Sequence, residues 1–244
     1  MSFYSSIVSL YDHIFPVMAP MVSLCNESVP QSGRVLEVGC ATGNLIDALR
    51  NGKRSFTGID YDDEMARYSL ERFKDFKDVE ITKLDMKFIG DSFSKNSFDS
   101  VICFGNTLVH LKDFEEMVSV LSQMKQVSVK GGNLLLQIIN YDRIFQSNSF
   151  DLPEIDNEHL TFLRKYEKRE DGRLDFNTVL TDKKNGTIIK NSVPLYPASS
   201  TEIMKALEQS GWENIEVYGS FKKEKFNPSD SYHLIVKASL PKGI

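Results

Sequence analysis

The stretch RVLEVGCATGN, residues 34–44, decides the fold class. It begins with a short apolar, β-branched run that ends at Gly39, and such a run is typical of a buried strand. Gly39 and Gly43 bracket the turn that follows, where the absence of a Cβ lets the backbone pass close to a ligand. Residues 44–50 then read as a helix that Asn51-Gly52 ends. A strand, a glycine turn and a helix in this order predict the start of a parallel α/β sheet.

The same alternation of strand and helix continues as far as Asn140. Asp62 is placed to cap the second helix, and the helix after Asp113 carries its apolar residues on one stripe. The Gly131-Gly132 pair is predicted to end that helix. Strands separated by helices pair in parallel, with right-handed crossovers and helices on both faces of the sheet. The predicted strands are 34–38, 55–60, 79–84, 98–104 and 133–139, and the later helices run from 62 to about 76 and from 113 to about 126.

The pattern changes after Asn140. Three strands are predicted at 160–168, 173–180 and 187–193. They are joined by Asp171-Gly172 and Asn185-Gly186, dipeptides that suit tight hairpin turns with positive φ. We therefore expect an antiparallel meander inserted into the parallel scaffold. The first pattern then returns, with a capping box at Ser199 and Glu202, a helix to Gly211, and strands at 214–218 and 232–238.

Composition limits the classes of protein to which the chain can belong. Of its 244 residues, 41% are hydrophobic and 26% charged, as in globular proteins with a sizeable core. The net charge is −5, whereas proteins that grip phosphate backbones usually have a basic surplus. No apolar run approaches the roughly 18 residues of a membrane span, and the amino terminus lacks a secretory pattern. We expect a cytoplasmic enzyme or binding protein without a nucleic-acid or membrane partner and, because no His/Cys cluster has ligand spacing, without a metal.

Candidate functional residues lie where the predicted strands end. Open parallel sheets bind ligands beyond the carboxyl ends of their strands. Asp60 ends the second strand, and a carboxylate there can accept hydrogen bonds from both hydroxyls of a ribose. Asp85-Met86 ends the third strand and suits an adenine, with the carboxylate for the amine and the thioether for the ring face. The fourth strand runs into Phe104-Gly105-Asn106 and His110, which indicate the mouth of an active site.

The chain resembles the class I S-adenosylmethionine-dependent methyltransferases. The resemblance rests on Glu37-x-Gly39-x-x-x-Gly43, on Asp60 and Asp85, and on the strand Phe98-Asp99 with Gly105-Asn106, and it covers about residues 33–140. The end of the fourth strand is also similar to small-molecule N-methyltransferases of the glycine/sarcosine type. The family implies a doubly wound, mostly parallel seven-stranded sheet in the order 3-2-1-4-5-7-6, with the last strand antiparallel. It also implies S-adenosyl-L-methionine as cofactor and S-adenosyl-L-homocysteine as product.

The resemblance assigns roles to residues at matching positions. Asn106 would line the methyl-transfer cleft. His110 is a candidate substrate ligand or proton acceptor, and a hydrogen-bonded structural role is an equal alternative. Tyr4 and Tyr11 share one helical face, so a tyrosine can lie near the sulfonium as a catalytic aromatic group or simply pack. The cofactor-binding set is Tyr4, Tyr11, Glu37, Gly39, Gly43, Asp60, Tyr61, Met65, Asp85, Met86, Phe104 and Gly105.

We expect a single methyltransferase domain with four segments. These are a helical cover at 1–30, a cofactor-binding core at 31–140, a β insert at 141–197, and a helix and strands at 198–244 that complete the sheet. The insert is interpreted as a lid that chooses the substrate. The alternative is a platform that pairs with a second copy in a homodimer. The insert is rich in aromatic and basic residues, among them the candidate substrate residues Tyr141, Arg143, Tyr166 and Tyr196 and also Arg164, Arg173 and Phe176.

The resulting functional hypothesis is methyl transfer to a small-molecule acceptor by in-line displacement. Such a transfer depends mainly on alignment and desolvation. Two alternatives stay open, a methyltransferase acting on protein or RNA, and a non-catalytic sensor that binds the cofactor. A nicotinamide-binding domain is disfavoured, because its G-x-G-x-x-G pattern has Ala41 at the second glycine.

Overall fold

A seven-stranded sheet forms the centre of the protein, whose computed structural model describes residues 6–242. A second, four-stranded sheet lies over one end of it. The strands are β1 (Gly33–Val38), β2 (Arg54–Asp60), β3 (Val79–Lys83), β4 (Phe98–Cys103), β5 (Ser128–Ile139), β6 (Ile155–Asp156), β7 (Leu160–Lys168), β8 (Leu174–Asp182), β9 (Ile188–Leu195), β10 (Glu213–Tyr218) and β11 (His233–Ser239).

The central sheet has the strand order β3-β2-β1-β4-β5-β11-β10. The first five of these strands are parallel to one another. β11 runs antiparallel to both of its neighbours. The predicted order 3-2-1-4-5-7-6 is therefore confirmed, and the carboxyl ends of β1 to β5 share one edge of the sheet, where ligands bind in folds of this class.

The helices begin and end at the signals that the sequence carries. Asp62 and Asp113 accept hydrogen bonds from backbone N–H groups as caps of α4 and α6, and the predicted capping box of Ser199 and Glu202 opens α8. The helices are α1 (Tyr11–Ile14), which follows a 3₁₀ turn at Val8–Leu10, α2 (Ala19–Ser28), α3 (Asn44–Leu49), α4 (Asp63–Phe73), α5 (Ile89–Ser92), α6 (Phe114–Val127), α7 (Tyr141–Ser147) and α8 (Ser200–Ser210).

Among the helices of residues 6–242, none is by itself long and apolar enough to cross a membrane. The segments Val8–Ile14 and Ala19–Ser28 reach the required length and composition only when taken together, and they are bent by 89° at their junction.

Helices cover both faces of the central sheet. On one face α6 and α8 pack against the sheet and against each other, and Trp212 donates its indole N–H to the carbonyl oxygen of Leu121 (3.0 Å). On the other face Leu24 of α2 and Ile46 of α3 are buried in the cluster that contains Phe56. A sheet buried on both faces explains why the strands read as nearly continuous apolar runs.

The Gly131-Gly132 pair does not end a helix, so that prediction is wrong. The helix α6 stops at Val127, and β5 begins at the next residue and contains both glycines. Gly131 has φ +73°, and the register between β4 and β5 shifts across this stretch. The glycines form an irregularity in a long strand, which is the other common reason for glycine in a strand sequence.

The second sheet has the order β6-β7-β8-β9 and is antiparallel throughout, as predicted for the insert. Gly172 and Gly186 have φ near +80° and +72° at the two hairpin turns. The short strand β6 and the helix α7 were not predicted. The side chain of Asn140 caps α7 by accepting a hydrogen bond from the N–H of Arg143.

A small hydrophobic cluster joins the amino-terminal segment to α4 and to the insert. Ile7 and Ile14 are buried with Met65 of α4 and with Leu160 and Phe162 of β7. This cluster fixes the amino-terminal helices between the central sheet and the insert. The insert and the amino-terminal segment therefore form two walls around the carboxyl ends of β1 and β4.

Candidate functional site

Two cavities meet at the carboxyl ends of the central strands. The first cavity, of about 380 Å³, lies over β2 and β3 and includes Asp60 and Asp85 in its lining. The second, of about 410 Å³, lies between β4, the amino-terminal segment and the insert, and includes Phe104 and Tyr166. Five residues line both cavities, and we call them the junction: Tyr11, Gly39, Ala41, Gly105 and His110.

The glycine turn after β1 brings backbone to the junction. Gly39 has φ +75°, and a Cβ at this position would lie 2.4 Å from the Oγ1 atom of Thr107, so only glycine fits. Gly43 also has φ +75°, but a Cβ there would clash with Phe73 and Ser69 of α4. The structure thus places Gly43 against a helix, outside both cavities, where it precedes the first turn of α3.

Asp60 is anchored with its carboxylate at the wall of the first cavity. One oxygen accepts a hydrogen bond from the N–H of Ala41 (2.9 Å) and the other from the N–H of Asp62 (2.9 Å). Burial raises the pKa of Asp60 to about 6, against the lowering effect of these two bonds. The group is therefore mostly ionised at neutral pH. Each oxygen keeps a further lone pair with which to accept a hydrogen bond from a vicinal diol.

The far end of the first cavity combines a carboxylate with apolar surfaces. Asp85 caps a 3₁₀ turn at Met86–Phe88 by accepting a hydrogen bond from the N–H of Lys87 (3.0 Å). Met86 and the buried Met65 line the cavity beside it, as does Tyr61, whose side chain is 73% exposed. A flat heterocycle with an exocyclic amine fits such a surface, because its faces meet apolar groups and its amine meets a carboxylate.

The turn after β4 forms the other side of the junction. Gly105 has φ +73°, and its N–H donates to the Oε1 atom of Gln137 (2.9 Å). A Cβ at Gly105 would meet no atom within 4 Å, so this backbone faces open space. Asn106, at the edge of the second cavity, accepts from the N–H of Ile139 (3.0 Å) and donates to the hydroxyl of Tyr141 (2.9 Å). Its amide is thus held in one orientation.

His110 lines both cavities from the 3₁₀ turn at Leu108–His110. Burial, with a smaller contribution from the charge of Arg173, lowers the pKa of His110 to about 4. The imidazole is therefore neutral at pH 7. A base with so low a pKa is a weak proton acceptor, but its ring can exchange hydrogen bonds with a ligand at the junction.

The second cavity has a mainly apolar wall with a few polar groups. Burial, with a smaller contribution from Asp60, raises the pKa of Glu37 to about 8. His233 contacts the amide of Gln137 through its Nδ1 atom (3.1 Å), and burial lowers the pKa of His233 to about 4. Both groups are mostly uncharged at neutral pH. The aromatic part of the wall consists of Tyr11, Phe15, Phe104, Tyr166, Phe176, Phe221 and Tyr232.

An ion-pair cluster holds α1 over the glycine turn, and we call it the latch. Asp12 accepts a hydrogen bond from the hydroxyl of Thr42 and pairs with Arg72 of α4 (3.1 Å). Arg72 also pairs with Asp47 (2.9 Å). The latch joins α1, α3 and α4, and it holds the neighbouring residue Tyr11 at the junction.

Most residues that the sequence selected converge on the two cavities. Of the predicted cofactor set, Glu37 and Phe104 line the second cavity alone, and Tyr4 lies outside the described residues. The members that line the first cavity are Tyr11, Gly39, Asp60, Tyr61, Met65, Asp85, Met86 and Gly105.

The predicted substrate residues divide into three groups. Asn106, His110 and Tyr166 line the second cavity. Tyr141 and Arg143 lie behind its wall, the first bonded to Asn106 and the second stacked over the ring of Tyr232, 5.1 Å from its centroid. Tyr196 points elsewhere, since its hydroxyl donates to Glu202 at the start of α8.

Sequence patterns did not indicate Gln137, Phe221 or His233. Gln137 is the one polar side chain in the apolar run of residues 134–139, and this polar residue in an apolar strand could have indicated a functional position. His233 and Phe221 carry no local signal, because His233 reaches the cavity through the pairing of β11 with β5 and Phe221 packs against the ring of His233.

Comparison with known proteins agrees with this geometry. Residues 35–132 match a family model described as a methyltransferase domain. The rat (Rattus norvegicus) glycine N-methyltransferase is 31% identical over 127 residues, which are 47% of this chain and 43% of the rat enzyme. A putative methyltransferase of Bacillus subtilis, YqeM, is 25% identical over 138 residues, 55% of each chain. The chain thus spans about half the length of these relatives.

Solved structures share the fold over nearly the whole chain. A S-adenosylmethionine-dependent methyltransferase from Clostridium acetobutylicum has a TM-score of 0.80 at 15% identity and covers 98% of this chain and 99% of its own. The sugar N-methyltransferase KedS8 from Streptoalloteichus has a TM-score of 0.66 at 17% identity, over 95% and 93% of the two chains. Residues 35–132 thus match a methyltransferase domain, and the whole chain has the fold of solved S-adenosylmethionine-dependent methyltransferases, one of which, the amino pentose methyltransferase CalS10, holds S-adenosylmethionine in its structure.

Proposed function

We propose that this protein transfers the methyl group of S-adenosylmethionine to a small-molecule acceptor. The observation that carries the proposal is the junction, where a cavity suited to a nucleoside opens into a second cavity of similar volume. A bound methyl donor and an acceptor can approach each other only where the two cavities meet.

The residues of the first cavity fit the cofactor. Asp60 would accept hydrogen bonds from the ribose hydroxyls, and Asp85 with Met86 would bind the adenine. Gly105 leaves one side of the junction free of side chains, since a Cβ there would meet no atom within 4 Å, and this gives the methionine part room to pass. When bound, S-adenosylmethionine supplies an electrophilic methyl group that an acceptor nitrogen, oxygen or sulfur can displace.

The protein's own groups would align the acceptor and exclude water. Effective alignment of two reactants accounts for a large part of the rate enhancement in such a displacement. Tyr11 of α1 and Gly105 of the turn after β4 both line the junction. The neutral imidazole of His110 can accept a hydrogen bond from an N–H or O–H group of the methyl acceptor. The acceptor's proton leaves to solvent after the bond to carbon has formed, so no strong base is required at this position.

The second cavity supports a small acceptor. The insert and the amino-terminal segment both contribute to its wall, through residues such as Phe176 and Phe15. A volume of about 410 Å³ matches the pockets that hold small molecules. Two similar proteins, the rat glycine N-methyltransferase and the sugar N-methyltransferase KedS8, are named for small acceptors.

The test is transfer of a labelled methyl group into fractionated extract. We expect label from S-adenosylmethionine to enter the small-molecule fraction with the wild type and not with Asp60→Ala. The control variant is Asp63→Ala, whose carboxylate pairs with Lys83 at the surface (2.7 Å), and it should behave as the wild type. Label in the protein or RNA fraction, or a wild type that does not bind S-adenosylmethionine in a calorimetric titration, would contradict the proposal.

A further inference from the structure

Three arginines on or near the wall of the second cavity form no salt bridge among residues 6–242, although the charge of Arg173 also acts on Asp171. The chain has nine arginines. Within residues 6–242, five of them pair with a carboxylate. Arg54 is buried and donates to three backbone carbonyls. The remaining three are Arg143, Arg164 and Arg173, and each has a buried Nε atom without a hydrogen-bond partner. An unsatisfied buried charged donor is costly and is usually explained by a ligand, an ion or water.

Arg164 is the member of this group that lines the cavity. Alternate residues of a strand share one face, and the neighbours of Arg164 on its face of β7 are Phe162 and Tyr166, both fully buried. A guanidinium on an otherwise apolar inner face is unusual. Its terminal nitrogen donates to the carbonyl of Pro153 (2.6 Å), which orients the group but supplies no negative charge.

Arg143 and Arg173 do not line the cavity, but each acts on groups that do. Arg143 stacks over Tyr232, which lines the cavity, and its charge contributes to the low pKa of His233. Arg173 donates to the carbonyl of Pro194 (3.0 Å), and its charge contributes to the low pKa of His110. Both guanidiniums therefore act electrostatically on side chains of the cavity wall.

Negative charge in the wall does not balance these cations. Glu37 is the one acid that lines the second cavity in the described chain, and it is mostly protonated at neutral pH. The cavity therefore presents a positive field inside an apolar and aromatic enclosure. Guanidinium groups bind carboxylates and phosphates in planar, charge-assisted geometry. The positive field of this cavity is therefore complementary to a ligand that carries a carboxylate or a phosphate.

We infer that the acceptor bound in the second cavity has an apolar or aromatic body and an anionic oxygen group, a carboxylate or a phosphate, that binds Arg164, with the charges of Arg143 and Arg173 adding to the positive field. This inference rests on the proposed function, since it names the class of acceptor for the same site. The apolar wall selects the body of the acceptor. The anionic end of the acceptor binds at Arg164, and the atom that receives the methyl group must extend from there to the junction.

The test is equilibrium binding to the full chain saturated with S-adenosyl-L-homocysteine, which requires no turnover. The probes are a matched panel of aryl and alkyl carboxylates, each compared with its primary amide and with the corresponding phosphate ester. We expect at least one anion to bind about tenfold or more tightly than its amide, because hydrogen bonds to charged groups are stronger than neutral ones. The carboxylate and phosphate arms identify the anion.

The variant Arg164→Gln should abolish this preference for the anion while its binding of the amides stays within about twofold. The control is Arg169→Gln, just beyond β7, where Arg169 pairs with Asp171 and Asp175 (3.2 and 2.9 Å), and it should retain the full preference. If no anion in the panel binds more tightly than its amide, or if Arg164→Gln keeps the preference, the inference is wrong. The proposed function fails separately, through loss of cofactor binding or of methyl transfer.

Discussion

The residue types at the junction are restricted by backbone conformation as much as by the chemistry of their side chains. Ala41 has φ +48°, a left-handed conformation that costs a residue with a Cβ about 1–2 kcal/mol. From the sequence, Ala41 was only a departure from a glycine pattern. The structure shows that this alanine adopts the conformation that glycine prefers and still donates its N–H to Asp60.

Gly105 allows a sharp test at the scale of one residue. Gly105→Ala places a methyl group in the open space of the junction at φ +73°, and Gly52→Ala places one in open space at φ +72° on a surface turn. Both variants should lose about 1 kcal/mol of unfolding free energy in urea, since both force a Cβ into a left-handed conformation.

Only Gly105→Ala should affect the site. We expect it to weaken S-adenosylmethionine binding or to reduce kcat by about tenfold or more, because the added methyl occupies the path between donor and acceptor. Calorimetric titration and the methyl-transfer assay measure the two effects. If Gly105→Ala and Gly52→Ala behave alike in both assays, the junction is not the place of transfer.

At the scale of elements, local signals predicted the alternation of strands and helices and the hairpin turns of the insert. These signals did not show whether Gly131-Gly132 ends a helix or forms an irregularity within a strand, because glycine is common in both places. The partner strand decides between them, and β4 provides that partner only in the folded sheet. The helix α7 was not predicted for a similar reason, since its cap depends on contacts that form only in the folded protein. The capping residue Asn140 also donates to three carbonyl oxygens at 227–231.

The latch makes a prediction for α1 as an element. Asp12→Ala removes the carboxylate that joins Thr42 and Arg72, so α1 should leave the glycine turn more often. We expect faster amide hydrogen exchange at residues 6–15 and weaker S-adenosylmethionine binding, because Tyr11 no longer holds its place at the junction.

Glu64→Ala is the matched control for the latch. It removes a partner of Arg67 in an exposed pair within α4 that is not part of the latch. Exposed pairs of this kind contribute little, so exchange at residues 6–15 should stay as in the wild type. Equal exchange in the Asp12→Ala variant and the wild type would show that hydrophobic packing alone holds α1.

At the scale of the whole molecule, the two cavities differ in how many of their lining residues can be predicted from the sequence. The first is built at consecutive strand ends, where Asp60 and Asp85 each follow a recognisable strand, so topology alone brings them together. The second takes Phe15, Arg164 and His233 from segments far apart in the chain. No periodicity or spacing links such residues, and only the packing of the insert and the amino-terminal segment on the sheet unites them.

The buried acids and histidines of these cavities also set how the stability of the whole protein depends on pH. The pKa of Glu37 rises from 4.5 to about 8 on folding, and that of Asp60 from 3.8 to about 6. The pKa values of His110 and His233 fall from 6.5 to about 4. Stability from raised acids is lost as pH rises above the unfolded values, and stability from lowered histidines is lost as pH falls below 6.5.

Between pH 6.5 and 8, Glu37 is the main group among these four that binds a proton in the folded state after the unfolded state has released it, while release of protons from the unfolded histidines near pH 6.5 reduces the effect. The free energy of unfolding should therefore fall by about 1 kcal/mol in total over this range. Urea unfolding of the ligand-free protein at pH 6.5, 7.25 and 8, values chosen to span this window, measures the slope. Glu37→Gln, which keeps the shape of the protonated acid, should remove it, and Glu80→Gln, at an exposed position of β3, should not. A slope that survives in Glu37→Gln would place the titrating group elsewhere in the fold.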